Sequence, residues 1–301
     1  MTKLLGHVAL GLTFSSLGLW RLYNHIKLQF LRPNSSKSLP FYPTSKSKYL
    51  ELFTLILVCS IFITSELFWG FRKQPLNPIN NEEILPLNRL RHFEHATISL
   101  TFFTYAAFAV ILDRIGSAHQ YALTLFLEAI ALGQYLLLIH FHSADHLGVE
   151  SQYHFLLQII LLVSVITTLM AIGWSKSFLV SFVRFSSIFF HGVWLIFIGM
   201  MLWTPGFIPK GCFLNVEEEH EVVRCHGEET LHRAKSLVNL QFSWFLIGIC
   251  VFSVSFYLVL GKIYGQDIGE YSTLIMSRKE DDSDDVELQL KKFEVGKHYS
   301  T

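Results

Sequence analysis

The stretch Tyr153-His-Phe-Leu-Leu-Gln-Ile-Ile-Leu-Leu-Val-Ser-Val-Ile-Thr-Thr-Leu-Met-Ala-Ile-Gly-Trp174 decides the fold, because it holds no charged side chain. A hydrocarbon core about 30 Å thick is crossed by roughly 20 apolar residues of helix. The stretch does not alternate as a strand would, and an open sheet could not satisfy its backbone polar groups in lipid. Six further windows share its character: 4–23, 49–71, 96–112, 119–140, 178–203 and 236–260. The sequence therefore predicts an all-α, multi-pass transmembrane helical bundle of seven spans over residues 1–262. Composition agrees, with 51% of the 301 residues apolar and 16% charged, against about 25% charged in a soluble domain. The formal net charge of zero gives no basic face, so the expected partner is the lipid bilayer and not nucleic acid.

The first window follows Lys3 and could pass for a signal peptide. It lacks a small-x-small cleavage site and ends in Trp20-Arg21-Leu22-Tyr23, which reads as an interfacial anchor of a retained span. Orientation follows from Lys and Arg. The first loop holds Arg21, Lys27, Arg32, Lys37, Lys46 and Lys48, whereas the loop from His142 to Gln152 has none and the loop from Thr204 to Lys235 is rich in Glu. Placing the first loop and the C-terminal tail in the cytosol puts the N-terminus outside or in a lumen, although Arg72, Lys73, Arg89 and Arg91 pull the other way. From residue 263 the composition changes. The run Glu280-Asp-Asp-Ser-Asp-Asp-Val-Glu287 predicts a disordered acidic cytosolic tail over 263–301, a surface for a cytosolic protein partner.

On this map the ionisable residues of the spans gather at the lumenal ends: His7, Glu66, His92, Glu94, His95, His140, His142, Asp145, His146 and His154. His92 and His95 are three apart, and His142 and His146 four apart, so each pair shares a helix face. Imidazole and carboxylate groups suit zinc or another divalent metal, which makes His92, His95, His140, His142, His146 and Asp145 the candidate metal set. The same groups suit proton handling, since histidine titrates near neutral pH. A lone interfacial histidine is more often a hydrogen-bonding residue than a ligand, and only the accumulation on one side raises the metal reading. Deeper polar residues are Glu128 and His191, with Glu66 near a span end. An intramembrane acid should be neutral, paired or facing a cavity, and Glu128 with His142 could line a proton path. Cys59 and Cys250 fall inside spans, while Cys212 and Cys225 share one lumenal loop and form the candidate disulfide.

Gly6-His7-Val-Ala-Leu-Gly11, Phe93-Glu94-His95, and Glu128 followed by His140-Phe-His142-Ser-Ala-Asp145-His146 resemble the transmembrane protein 45 family, also called domain of unknown function 716. Gly192-Val-Trp194, Leu202-Trp-Thr-Pro205 and His232-Arg-Ala-Lys-Ser-Leu-Val-Asn239 are similar to its plant branch, often labelled viral-response proteins. The resemblance implies a multi-pass membrane protein with no catalytic residue assigned. It also implies a glutamine in many members where this chain has His191, which favours hydrogen bonding over metal ligation there.

No Gly-rich phosphate loop, G-x-S-x-G elbow or H-E-x-x-H helix is present, so the balance leans away from an enzyme. Three functions stay open: a binding or transport protein using the histidines for a divalent metal or protons, a lumenal metal-dependent lipid hydrolase, and a non-catalytic adaptor or trafficking protein. A stress or defence role is implied by the resemblance alone. The topology makes one direct prediction. The sequon Asn34-Ser35-Ser36 lies in the cytosolic loop, so mass analysis of protein from a glycosylating host should find Asn34 bare; a glycan there would invert the map.

Overall fold

The computed structural model describes residues 3–32, 38–43, 48–72, 87–144, 148–217 and 220–297, with side chains through 265 except 3, 72, 87–88, 142–144, 217 and 220–221. The sequon at Asn34 and the candidates Asp145 and His146 lie outside these residues, as does the side chain of His142. The elements in order are α1 (Lys3–Leu31), α2 (Leu50–Arg72), α3 (Leu87–Ile115), α4 (Gln120–Ala144), α5 (Val149–Gly173), α6 (Phe178–Trp203), a 3-10 turn (Pro205–Phe207), β1 (Cys212–Glu217), β2 (His220–Cys225) and α7 (Glu228–Lys297). The architecture is an all-α transmembrane bundle with one small hairpin.

Among the described residues, six helices, α2 to α7, are long and apolar enough to cross a membrane. In lipid the usual inside-out rule weakens, because the surroundings are as apolar as a core. Helix α5 illustrates this. Its outward residues Leu162, Ile166 and Leu169 are exposed and apolar, while Ser164 and Thr168 are fully buried. Ser164 Oγ donates to Ser187 Oγ of α6 at 2.9 Å, so small polar groups mark the protein-facing side.

Helix α1 lacks a span-length stretch as apolar as those of the other six, and its burial explains why. Arg21 and His25 are each 1% exposed, so its polar residues meet protein and not lipid. The window ending in Trp20-Arg21 was expected to stop at the interface. Instead the helix runs on to Leu31, and Arg21 is a core residue. Glycines let α1 lie against α6. A Cβ at Gly11 would meet the Gly192 carbonyl oxygen at 2.7 Å, and one at Gly199 would meet His7 Cβ at 2.9 Å. A Cβ at Gly192 would strike the backbone of Ser15, and one at Gly18 the backbone of Phe189. Rising numbers in α1 meet falling numbers in α6, so the two run antiparallel with their backbones in contact.

Between α6 and α7 the sequence offers a compact loop, and the structure makes it an antiparallel hairpin. Its register runs from Cys212 opposite Cys225 to Glu217 opposite His220, and Cys212 and Cys225 are disulfide-bonded. Two compact units divide the chain: Met1–His25 with Lys37–Ser253, and Ile26–Ser36 with Val254–Thr301. The second joins the end of α1 to the continuation of α7. Phe30 and Tyr257 are 5.2 Å apart between ring centroids, and the Lys27 ammonium lies 5.2 Å from the Tyr264 ring. Helix α7 carries helical backbone to Lys297, through the acidic run expected to be without structure; Glu, Leu, Gln and Lys there are strong helix formers.

The glycine contact is open to a paired test. Gly192→Ala should destabilise the protein by about 1–3 kcal/mol through overpacking, read as a lower Tm in detergent. Gly133→Ala on α4, with nothing within 4 Å of the added carbon, should be neutral or slightly stabilising.

Candidate functional site: a cavity above a buried charge layer

The bundle holds two polar regions at different depths. At the end where α2, α4 and α6 begin, Arg21 of α1 is surrounded. Its Nε donates to Glu51 Oε1 at 2.7 Å, its Nη1 to Glu128 Oε1 at 2.5 Å and its Nη2 to the Tyr105 hydroxyl at 3.0 Å. Arg184 of α6 lies 3.8 Å from Glu128 Oε2, so two guanidinium groups face two carboxylates and the formal charges cancel. The segment 38–43 is bound into the same layer. Arg184 donates to Ser38 Oγ at 3.3 Å and to the Leu39 carbonyl at 3.1 Å, and the Tyr105 hydroxyl donates to the Pro40 carbonyl at 3.3 Å. The Tyr42 amide donates to Glu51 Oε2 at 3.1 Å, while its hydroxyl shares a hydrogen bond with His25 Nδ1 at 3.2 Å. Burial pushes the Tyr42 hydroxyl well above its ordinary range, which keeps it protonated and in that bond.

The intramembrane acid Glu128 is therefore one of a charge pair. Arg21 and Arg184, which complete that pair, were not recognised from sequence. Arg184 had a visible signal, as the one charged residue within Phe178–Trp203. Arg21 was misread because an arginine after a tryptophan near a span end also fits a membrane anchor.

At the other end, where α1, α3 and α5 begin, helices α1 to α6 enclose a cavity of about 210 Å³. Its depth is apolar, walled by Phe14, Leu55, Phe62, Phe102, Leu157 and Leu195. The floor is aromatic. Phe14 packs edge-on against Phe102 at 5.4 Å and stacks over Tyr135 at 6.2 Å. His191, fully buried, lies 4.5 Å from Phe14 between ring centroids and hydrogen-bonds the Tyr135 hydroxyl through Nε2 at 3.3 Å. It is a hydrogen-bonded residue behind the floor. Phe14 is two helical turns from Arg21, so about 10 Å separates the floor from the charge layer.

The mouth is ionisable. His92 Nδ1 lies 2.6 Å from Glu66 Oε2, and His95 Nδ1 lies 3.8 Å from the same oxygen. Arg91 and Glu94 of α3 line the same opening, as do Glu150 and His154 of α5. His7 lies 4.5 Å from Trp203 and 6.3 Å from His154 between ring centroids, closing the ring from α1 and α6. Of the three candidate metal residues whose side chains are described, His92 and His95 are brought together here. His140 is elsewhere, in a lipid-facing groove between α4 and α5, where its Nδ1 pairs with Gln158 Oε1 at 3.0 Å. Among the described residues, no group of three or more His, Cys, Asp or Glu is arranged to hold a metal ion.

Residues 121–258 match the model of a family of unknown function, DUF716. That segment of the chain is similar to the family and runs from the start of α4 into α7, so it contains Glu128, Tyr135, His154, Arg184 and His191. No curated protein matches the chain. Together the fold and this likeness describe a multi-pass membrane protein.

The charge layer yields a stability prediction. Arg21→Met should cost about 3–5 kcal/mol, because it leaves buried Glu51 without its cation and Glu128 with Arg184 alone. Adding Glu51→Gln alone to that variant leaves Glu128 paired with Arg184 and the layer neutral, so it should recover part of the loss, a non-additivity that thermal unfolding in detergent would read directly.

Proposed function

We propose that this protein is a membrane-embedded binding protein whose cavity takes a small amphipathic molecule, as the recognition step of transport or sensing. One observation carries the reading: a single cavity draws on six helices, with apolar walls below and a ring of ionisable side chains above. Ligand sites are commonly of this kind, mostly apolar with a few convergent polar groups. An apolar body would lie against Phe62, Phe102 and Leu157, and a polar head would stay at Glu66, His92 and Glu150. The aromatic floor and the charge layer beneath it favour a pocket entered from one end over an open channel. The orientation expected from the positive charges would turn that mouth to the lumen or the outside.

The proton reading keeps a foothold in the Glu66–His92 contact, where a proton could be shared or passed to a ligand. The metal readings, transport and hydrolysis alike, are less well supported, since His140 lies apart from His92 and His95.

Ser99 of α3 is buried and lines the cavity, so Ser99→Phe fills it without altering the charge of its lining. In lipid nanodiscs the wild type should show saturable binding of short-chain amphiphiles, and Ser99→Phe should lose it by at least about tenfold, or 1.4 kcal/mol. Equal binding by the two proteins would place the amphiphiles in the lipid and end this reading.

A further inference from the structure

We infer that the molecule this cavity takes is an amphipathic cation, an ammonium head on a short apolar body; the inference rests on the binding reading above. The argument is one of charge at the mouth. Its lining contributes three carboxylates, Glu66 of α2, Glu94 of α3 and Glu150 of α5, against one guanidinium, Arg91 of α3. The lining also carries four imidazoles, His7, His92, His95 and His154, of which His92 and His95 lie against Glu66. Two of the carboxylates are deeply placed, with Glu66 8% exposed and Glu150 4% exposed. Charges set in low-dielectric walls focus their field into the opening.

Head groups are sorted by that field. An anionic head, such as a fatty-acid carboxylate, would have to leave water beside three like charges, and that desolvation would go unrecovered. A neutral hydroxyl could hydrogen-bond to Glu66 or His92 but would leave the acidic field as it stands. A cation recovers its lost hydration from the carboxylates, and aromatic faces add to the attraction. Trp203 and Phe62 both line the cavity, and a cation within about 6 Å of an aromatic ring face is attracted to it. The apolar walls then set the rest of the ligand: an alkyl or aryl body without a second polar group, since Phe14, Phe102 and Leu157 offer it no partner.

The test uses three probes with one chain length and different heads: octyltrimethylammonium, octanol and octanoate. Each is measured on the full-length protein in nanodiscs of zwitterionic lipid, counting only the binding that Ser99→Phe removes. The ammonium probe should bind about tenfold or more tighter than the other two, a preference of about 1.4 kcal/mol. Glu66→Gln and Glu150→Gln should each weaken it by about tenfold, and Arg91→Gln should strengthen it several-fold while leaving octanol unchanged. The Arg91 variant guards against misfolding, because damage to the protein does not tighten a ligand. Octanol or octanoate binding as well as the ammonium probe would overturn the cation assignment and leave the cavity reading intact. No saturable binding of any probe would overturn both.

Discussion

A guanidinium cannot rest inside a membrane unless its donors are met, and Arg21 dictates how its neighbours must stand. Three of its nitrogens go to three other helices, through Glu51 of α2, Tyr105 of α3 and Glu128 of α4. The rigid fork of the side chain allows few alternatives, so these helices meet at one depth and in one rotation. Arg184 repeats the arrangement from α6 and adds the segment 38–43 to it. Replacing the layer by apolar side chains could leave the fold as stable or more so, since buried ion pairs seldom add net stability. What the layer supplies is register, because a helix turned by one residue would strand a charge in lipid.

That register leaves the opposite end of the bundle free to carry a different arrangement. There the helices are held by shape, with the glycines of α1 and α6 bringing two backbones into contact on one side. The aromatic floor of Phe14, Phe102 and Tyr135 separates the two regions, and His191 supports it from behind. Ionisable side chains at the mouth are thereby kept apart from those of the charge layer, and each group sees a different surrounding. The buried carboxylate Glu128 is committed to two arginines, whereas Glu66 and its histidines line an open space.

Much of this was legible in the sequence, and the limits have physical causes. Hydropathy found the apolar windows because the bilayer imposes a length on every helix that crosses it. The concentration of histidine at one end was also readable, since up-and-down topology sends Glu66, His92 and His154 to the same side. Which of them meet was not readable. His140 shares that end yet faces outward toward lipid, because helix rotation follows from packing, and α4, apolar on its exposed and buried sides alike, gives no periodic signal to fix it. The partners of Glu128 escaped for a related reason: pairs 107 residues apart, such as Arg21 with Glu128, leave no local pattern. The hairpin between Cys212 and Cys225 was hidden by its brevity, and only its cysteines announced that the ends come together.

The closeness of α1 to α6 has a consequence for how the protein is made. Helix α1 leaves the ribosome well before α6, and the surface that fits its glycines belongs to that later helix. Glu51 follows Arg21 by 30 residues and Glu128 by 107. At about 5–20 residues per second, the first carboxylate arrives within a few seconds and the second some seconds later. For that interval α1 is without its later partners, sheltered by the insertion machinery or by α2 alone. Residues that weaken the glycine seam would then act first on the yield of inserted protein, before any effect on the finished bundle is felt.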